Sequence, residues 1–555
     1  MISEKFYVIP PEFCADLTSL TLYEAYKKAN KDNMDSLAIV TMDGAHRYTH
    51  RELLNMIDLA SGGFTKLNIS KNSRVGIMLN NTVEEAVSLL ALNKIGAMSA
   101  FIDVSKSPSD IACSISKLNL QLLIIDESLL PLEPIVNKGN IPYIVVNQTK
   151  PLKNGVSFAE LYKWGTEVEV VSVAFEKNKP SVIINSSGTT GLPKPIVHTD
   201  FSINSAAYKI LCSDFSMNRE NVIMKIVPSF IGLGLITTLY TSLLSGTKLV
   251  LISCSTPQQS IFNTVTFTSD FPMLRDCMGL GENAKLLMFA APMYYKIMCD
   301  KLDCFKDLSY MGAMLAAGAK IEKTALDLMN QQLKELNCPV GICNGYGQNE
   351  MCGAVTLNTN SANKNGSAGI PVIGTQIRIV DLETLATLEC NKEGLVLEQS
   401  DSSFLCYEYL EEETEKSRIT LPDGSVWFNT NDLGKMDEDG FLYITGRVTR
   451  VIVRFDCKIS IDSIEQKIKS HPAVFDCAVV GVRKDEVEEI PVAFISCNES
   501  YEDSDVKMIL NEIQASANSL SEMDYPEHII VLKNLPYMNN GKVDYQALQK
   551  EAERL

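Results

Sequence analysis

The chain has 555 residues, 46% of them hydrophobic and 21% charged, an ordinary folded composition with too much sequence for one hydrophobic core. A formal net charge of −18 argues against nucleic acid or an anionic membrane as the main partner, so an anionic substrate would need a local basic site. The 15 cysteines include no C-x-x-C pair and there are only 5 histidines, which fits a reducing, cytoplasmic setting and points away from a disulfide framework or a zinc cluster.

The opening residues Met1-Ile2-Ser3-Glu4-Lys5 lack the charged-then-apolar pattern of a signal peptide. Leu37–Thr41 reads as a strand. Thr49 and Glu52 have capping-box spacing, which predicts a helix from His50 to about Ala60, ended by Gly62-Gly63. Arg74–Leu79 is strand-like, and Thr82 before Val83-Glu84-Glu85 predicts a helix that runs through Ala86 to Ile95 and stops at Gly96. Leu122–Asp126 and Tyr143–Val146 are further strands. This alternation implies parallel sheets covered by helices on both faces.

After the apolar run Val182–Ile184 comes Ser186-Ser187-Gly188-Thr189-Thr190-Gly191-Leu192-Pro193-Lys194. Glycines let backbone N–H groups approach an anion, hydroxyls donate to it, and lysine adds a mobile positive charge. The Walker spacing is absent, so this is a different phosphate-gripping loop, or else a polar strand-to-helix turn. No charge lies between Lys225 and Lys248, yet Pro228, Gly232 and Gly234 interrupt the stretch. A buried helix followed by a core strand at Leu249–Ile252 is expected there, not a membrane span. Gly232-Leu233-Gly234 lacks the third glycine of a dinucleotide fingerprint. From Gly366 onward, Arg378–Asp381, Gly394–Glu398 and Phe441–Ile444 are short strands split by turns, which implies a β-rich subdomain over about 366–445. The residues after Gly446-Arg447 carry strands at Ala478–Val482 and Val492–Ile495 and a helix from Val506, an α+β domain over 451–555. The expected fold class is α/β: a large N-terminal domain, 1–445, of two parallel-type α/β subdomains plus the small β-rich one, then the small C-terminal domain.

Four further segments follow in order: Asn344-Gly345-Tyr346-Gly347-Gln348-Asn349-Glu350; Phe428-Asn429-Thr430-Asn431-Asp432-Leu433-Gly434, which is expected to end a strand with its aspartate; Thr445-Gly446-Arg447; and Asn539-Asn540-Gly541-Lys542-Val543-Asp544. With the 186–194 loop, the chain resembles the acyl-adenylate-forming superfamily of acyl-CoA synthetases, nonribosomal peptide synthetase adenylation domains and luciferases. The resemblance implies ATP and Mg²⁺ as cofactors and a set of roles. Ser186, Ser187, Gly188, Thr189, Thr190, Gly191 and Lys194 would grip the β and γ phosphates. Gly318-Ala319 and Gly345-Tyr346-Gly347 would line the adenine slot, with Ile444 also at the nucleotide. Glu350 would hold Mg²⁺, with Asn349 donating to a phosphate. Asp432 would take the ribose hydroxyls with Arg447 beside it, and Lys542 would bridge the ribose oxygen, the α-phosphate and the attacking carboxylate. Each residue also has a plain structural reading: helix-start acid for Glu350, turn chemistry for Asp432, a solvated hairpin lysine for Lys542. His198 follows the loop without an evident acid partner and reads as structural.

Some positions depart from the family pattern. Asn349 stands where a threonine is usual. The hinge, 446–450, has Thr449 where Asp or Lys is usual, and Val453 and Asp456 replace a lysine and a glycine. In the family this stretch swings in after adenylation and lines the thiol tunnel, which makes the C-terminal domain a mobile lid. These changes weaken the usual thioester step. Amino-acid-activating members carry an aspartate after the position of Pro228, but Phe230, Ile231, Gly232, Leu233 and Gly234 include no acid. A buried unpaired ammonium is unfavourable, so the substrate is expected to be a carboxylic acid without an α-amino group. The stretch from Ser253 to Ala284 looks longer than usual, an extra surface element or a docking insert. The expected activity is an ATP-dependent ligase that passes an acyl group to a thiol on CoA or a carrier protein. An amide synthetase using an amine acceptor and a non-catalytic nucleotide-binding scaffold are the alternatives.

Overall fold

The computed structural model describes residues 7–554 except 107, 137–139, 151–154, 187–193, 253–256, 320, 322, 455–456, 472, 484–488, 498–511, 513–524 and 539–542. The chain forms two compact units. The first comprises Met1–Gln376, Gln399–Lys416 and Asp439–Phe441, and the second Ile377–Glu398, Ser417–Glu438 and Leu442–Leu555. The β-rich stretch thus shares a unit with the C-terminal residues.

The first unit contains two large sheets. In a nine-stranded sheet, Ile342–Tyr346, Met311–Ala316, Leu286–Ala290, Val222–Lys225, Lys248–Leu251 and Leu37–Thr41 lie side by side and parallel, and antiparallel strands finish both edges. In an eight-stranded sheet the parallel set is Pro180–Asn185, Met98–Phe101, Arg74–Met78, Leu122–Asp126, Tyr143–Val146 and Val156–Ser157. Pro195–Thr199 and Cys406–Tyr407 continue it antiparallel. Parallel neighbours need crossover connections, and helices such as Val83–Lys94 and Lys323–Glu335 supply them. The strands are nearly all apolar because both faces are covered. Met224, Val250, Met288 and Met314 pack with Phe267, Phe271 and Tyr295 in one core, and Ala100, Leu123, Ile125 and Ile183 pack with Ile111 and Ile115 in another.

Three local expectations need correction. The helix from His50 does not end at Gly62-Gly63 but runs through them to Lys66, capped at its start by the predicted Thr49/Glu52 box. These glycines serve close packing: a Cβ on Gly63 would lie 2.3 Å from the Leu161 carbonyl oxygen of the helix Phe158–Gly165. Asp432 does not end its strand, which continues as Val426–Met436 through a left-handed Asn431 at φ +56°. The stretch after Ser253 is no surface addition: the helix Pro257–Cys277 buries Phe267 and Phe271 in the first core while Phe262 and Met273 stay exposed. The charge-poor run after Pro228 is a buried helix as expected, with π geometry over Leu233–Tyr240, and leads to the core strand Lys248–Leu251. Among the described residues no helix is long and apolar enough to cross a membrane.

The second unit holds a five-stranded sheet in which Val426–Met436 pairs antiparallel with Gly394–Ser400 and with Leu442–Arg447, with Val380, Leu397 and Trp427 in its core. A three-stranded sheet, Val474–Arg483, Glu489–Cys497 and His528–Val531, buries Ile464, Ile468, Val479 and Ile495 against the helix Ile461–Lys469. The expected helix from Val506 lies outside the described residues.

Candidate active site

In the first unit the motif residues gather where parallel strands end at their carboxyl sides, the usual place for a ligand in an α/β sheet. Ser186 follows the strand Pro180–Asn185, and Lys194 precedes the returning strand Pro195–Thr199. The Ser186 N–H donates to the Lys194 carbonyl at 2.9 Å, and the Lys194 N–H donates to the Ser186 hydroxyl at 3.0 Å. These two bonds close the neck of the loop. Ser187, Gly188, Thr189, Thr190 and Gly191 lie outside the described residues. The Lys194 ammonium meets Glu413 at 2.5 Å and sits 5.1 Å from the centre of the Tyr407 ring. Its hydrogen bond and charge hold the Glu413 carboxyl below the usual range.

Gly318 and Ala319 follow the strand Met311–Ala316 and are exposed, with Gly318 at φ +91°. Gly345 and Tyr346 finish the strand Ile342–Tyr346, and Tyr346 is half-buried. The turn after them is tight: a Cβ on Gly347 would fall 1.5 Å from the Gly353 carbonyl oxygen. Glu350 lies in the short helical turn Asn349–Met351. Its Oε1 accepts from the Tyr407 hydroxyl at 2.9 Å, and its backbone carbonyl accepts from the Phe404 N–H at 2.7 Å. Burial and the Glu350 charge push the Tyr407 phenol well above its ordinary value, so it stays a donor to that carboxylate. A carboxylate oriented by the Tyr407 hydroxyl beside the neck of that loop suits Mg²⁺, which takes one or two protein carboxylates and completes its shell with other oxygens and water.

Asn349 Oδ1 accepts from the Gly232 N–H at 3.0 Å, and its Nδ2 donates to the Asn185 carbonyl at 2.7 Å. Phe230, Gly232 and Gly234 are buried, and Ile231 and Leu233 are half-buried, in the apolar segment that enters the π-geometry run. Although that segment holds no acid, the structure brings one to it. Ser229 donates to Glu85 Oε2 at 2.9 Å, and Glu85 is buried on the helix Val83–Lys94. Burial pushes the Glu85 carboxyl up, and the Lys225 charge opposes this. Lys225, itself buried, donates to Asn81 Oδ1 at 2.8 Å.

His198 is fully buried, with Nδ1 3.1 Å from Cys352 Sγ. Burial pushes the imidazole down to about 4, so it is neutral, and burial pushes the Cys352 thiol up to about 12, so neither group is a poised nucleophile or base.

In the second unit Asp432 and Arg447 are opposite each other on neighbouring antiparallel strands. Arg447 Nε lies 3.0 Å from Asp432 Oδ1, and the Arg447 N–H donates to Asp462 at 2.9 Å. Ile444 lies on the same strand as Arg447 and is half-buried. Lys542 and Asp456 fall outside the described residues, and Thr449 and Val453 are described in backbone only. Tyr537 and Val543 form an isolated antiparallel bridge.

Sequence reasoning missed Tyr407, Glu413, Ser229 and Glu85. Each reaches its partner across a long stretch of sequence and belongs to no local motif. The only legible signal was chemical: an acid-rich run, Glu411-Glu412-Glu413, that could answer a lone lysine.

A family described as AMP-binding enzyme matches residues 26–408, and its C-terminal domain family matches 463–542. Medium-chain fatty-acid–CoA ligase of Escherichia coli (strain K12) is 24% identical over 96% of this chain and 91% of its own length. 4-Coumarate–CoA ligase 4 of Arabidopsis thaliana is 25% identical over 91% of this chain and 87% of its own. Among solved structures, the anthranilate CoA ligase AuaEII in complex with anthranoyl-AMP superposes with a TM-score of 0.81 at 20% identity, covering 98% of this chain and 100% of that one. O-succinylbenzoate CoA synthetase (MenE) from Bacillus subtilis, in complex with ATP and magnesium ion, gives a TM-score of 0.75 at 18% identity, covering 94% and 98%.

Proposed function

The chain belongs to the AMP-binding enzyme family, and on that premise we propose that it is an AMP-forming acid–thiol ligase that activates a carboxylic acid with ATP and passes the acyl group to CoA. The observation that carries the reading is the closed neck of the 186–194 loop joined, through Asn349, to the turn that holds Glu350. Relatives named for medium-chain fatty acid and 4-coumarate support an acid substrate with an apolar or aromatic body. The run Phe230–Gly234 holds no acid of its own, and the buried Glu85 brought beside it is engaged by Ser229 and faces the Lys225 charge, which supports the absence of an α-amino group.

The first step joins two anions. A carboxylate oxygen attacks the α-phosphorus, the bond to the bridging oxygen breaks, and pyrophosphate leaves with the electron pair. Charge builds on the transferring group, and fixed cations lower that barrier most effectively when they are positioned beforehand. Lys194 and the loop N–H groups would hold the outer phosphates, Asp432 the ribose, and Lys542 the reacting oxygens. Glu350 would hold Mg²⁺, whose charge neutralises the phosphate oxygens. In the second step a thiolate attacks the acyl carbon and AMP leaves. The domains proposed for this sequence of steps are an adenylation core to residue 445, a hinge at 446–450 and a lid beyond it. The dispersed thiols support a cytoplasmic setting. Val453 and Asp456 favour a second reading, transfer to an amine.

A panel of fatty and aromatic acids scored by pyrophosphate release tests the first step. Release with at least one acid, lost in Lys542→Ala with little change in Tm, is expected. Unchanged turnover in that variant removes Lys542 from the mechanism. Mass spectrometry of the products with CoA or simple amines separates thioester from amide.

A further inference from the structure

We propose that Asn349 is a positioning residue that couples the acid-binding segment to the phosphate loop, so that filling one site strengthens binding at the other. The inference rests on the adenylation reading above and adds to it a device specific to this chain. The usual threonine would give one oxygen on a short stem. Asn349 gives two atoms on opposite sides of a planar amide, and each is engaged: Oδ1 with the Gly232 N–H at 3.0 Å and Nδ2 with the Asn185 carbonyl at 2.7 Å.

Both partners are backbone groups at the ends of elements. Gly232 stands at the entry to the run Leu233–Tyr240, where helix-start N–H groups lack partners within the helix. Asn185 is the last residue of its strand, and the registered pairing of that strand with Met98–Phe101 ends two residues earlier, at Ile183. Its carbonyl is taken by a side chain from another element just before Ser186 begins the loop.

The turn that carries Asn349 is itself stiff. Gly347 packs onto Gly353 with no room for a Cβ, Gly353 N–H donates to the Gln348 carbonyl at 3.0 Å, and Cys352 N–H to the Asn349 carbonyl at 3.1 Å. Its far end is tied by Cys352 to His198, on the strand that returns from the loop. The turn is therefore fastened to both arms of the phosphate loop, and through one amide to the acid-binding segment. A shift of the Gly232 backbone when an acid binds must move Asn349 or break its bond, and either changes the neck of the loop. By linkage, the nucleotide must then affect the acid site by the same factor.

The test measures the dissociation constant of α,β-methylene-ATP with Mg²⁺ on the full chain by calorimetry, with and without saturating octanoate or 4-coumarate, whichever drives more pyrophosphate release. In the wild type the acid is expected to tighten the nucleotide by at least about 5-fold, the lower end of ordinary coupling. In Asn349→Thr and Asn349→Ala the ratio should fall to below about 2-fold. An undiminished ratio in Asn349→Thr overturns the proposal, as does the absence of coupling in the wild type. A loss confined to nucleotide affinity with the ratio preserved would make Asn349 a phosphate contact and overturn it too. If the wild type binds no nucleotide, the adenylation reading fails first and takes the coupling with it.

Discussion

His50 and His198 show how burial fixes chemistry at single residues. Both are almost without solvent exposure, at 1% and 0%, and burial pushes each imidazole from the usual 6.5 down to about 4. The unfolded chain therefore takes up a proton that the native chain refuses. Stability is full above pH 6.5, falls as pH drops toward 4, and falls no further once both states are protonated. A shift of this size amounts to about 3 kcal/mol per histidine. Asp200 works in the opposite sense: burial raises its carboxyl to about 6, so it favours the native state as pH falls toward 4. To isolate one histidine, unfolding of wild type and His198→Gln is measured in urea at pH 7 and pH 4. The stability gap between them should shift in favour of the variant by about 3 kcal/mol on going to pH 4, and a constant gap would refute the assignment. At this scale the site was partly legible. Ser186, Lys194, Glu350 and the Asp432–Arg447 pair could be singled out by residue type, because the anion and ribose recognition proposed for them needs particular groups in a local pattern. Tyr407 and Glu413 could not be picked: they meet Glu350 and Lys194 only because the strand Cys406–Tyr407 joins the edge of the sheet beside Pro195–Thr199.

At the scale of elements, Gly62-Gly63 is the instructive pair. By sequence two glycines end a helix, since they favour left-handed caps and weaken helical interiors. Here they stay helical because the backbone of Leu161 and Gly165 comes close enough to forbid a side chain. Gly63→Ala sets two effects against each other. Alanine gains about 1 kcal/mol of helix propensity. Forcing a Cβ to 2.3 Å from the Leu161 oxygen and 2.6 Å from its Cδ1 costs about 3 kcal/mol, because a rigid carbonyl cannot swing aside. A net loss of about 2 kcal/mol in chemical denaturation is expected, and a gain would show that the two helices separate freely. Strands were read more reliably. Leu37–Thr41, Leu122–Asp126 and Tyr143–Val146 have the bounds expected, because short aliphatic runs between polar residues leave a buried parallel strand few alternatives. The π geometry after Gly232 and the continuation of the strand through Asp432 were not legible, since both depend on partners distant in sequence.

At the scale of the whole molecule, each compact unit has cores of its own among the described residues. The first is organised around Met224, Met288, Phe267 and Phe271 and around Leu123, Ile125 and Ile183, the second around Val479, Ile495 and Ile468 and around Leu397 and Trp427. The change of texture at Gly366 foreshadowed a second fold type, but the sequence reading grouped the β-rich strands with the N-terminal domain. Which residues they join depends on tertiary packing, and the contacts group them with the C-terminal residues. Units with cores of their own can melt separately, which breaks the two-state condition. Globular chains absorb about 0.7 kcal/mol per residue near 60 °C, so complete unfolding should take up on the order of 390 kcal/mol. A scan of one cooperative transition would give a van't Hoff enthalpy equal to that total. Unfolding in two steps gives van't Hoff values well below it, with the smaller step belonging to the smaller unit. Differential scanning calorimetry of the intact chain is expected to show this inequality. Equality of the two enthalpies, in a single peak unchanged by scan rate, would mean that the cores unfold as one and that the division into units has no energetic counterpart.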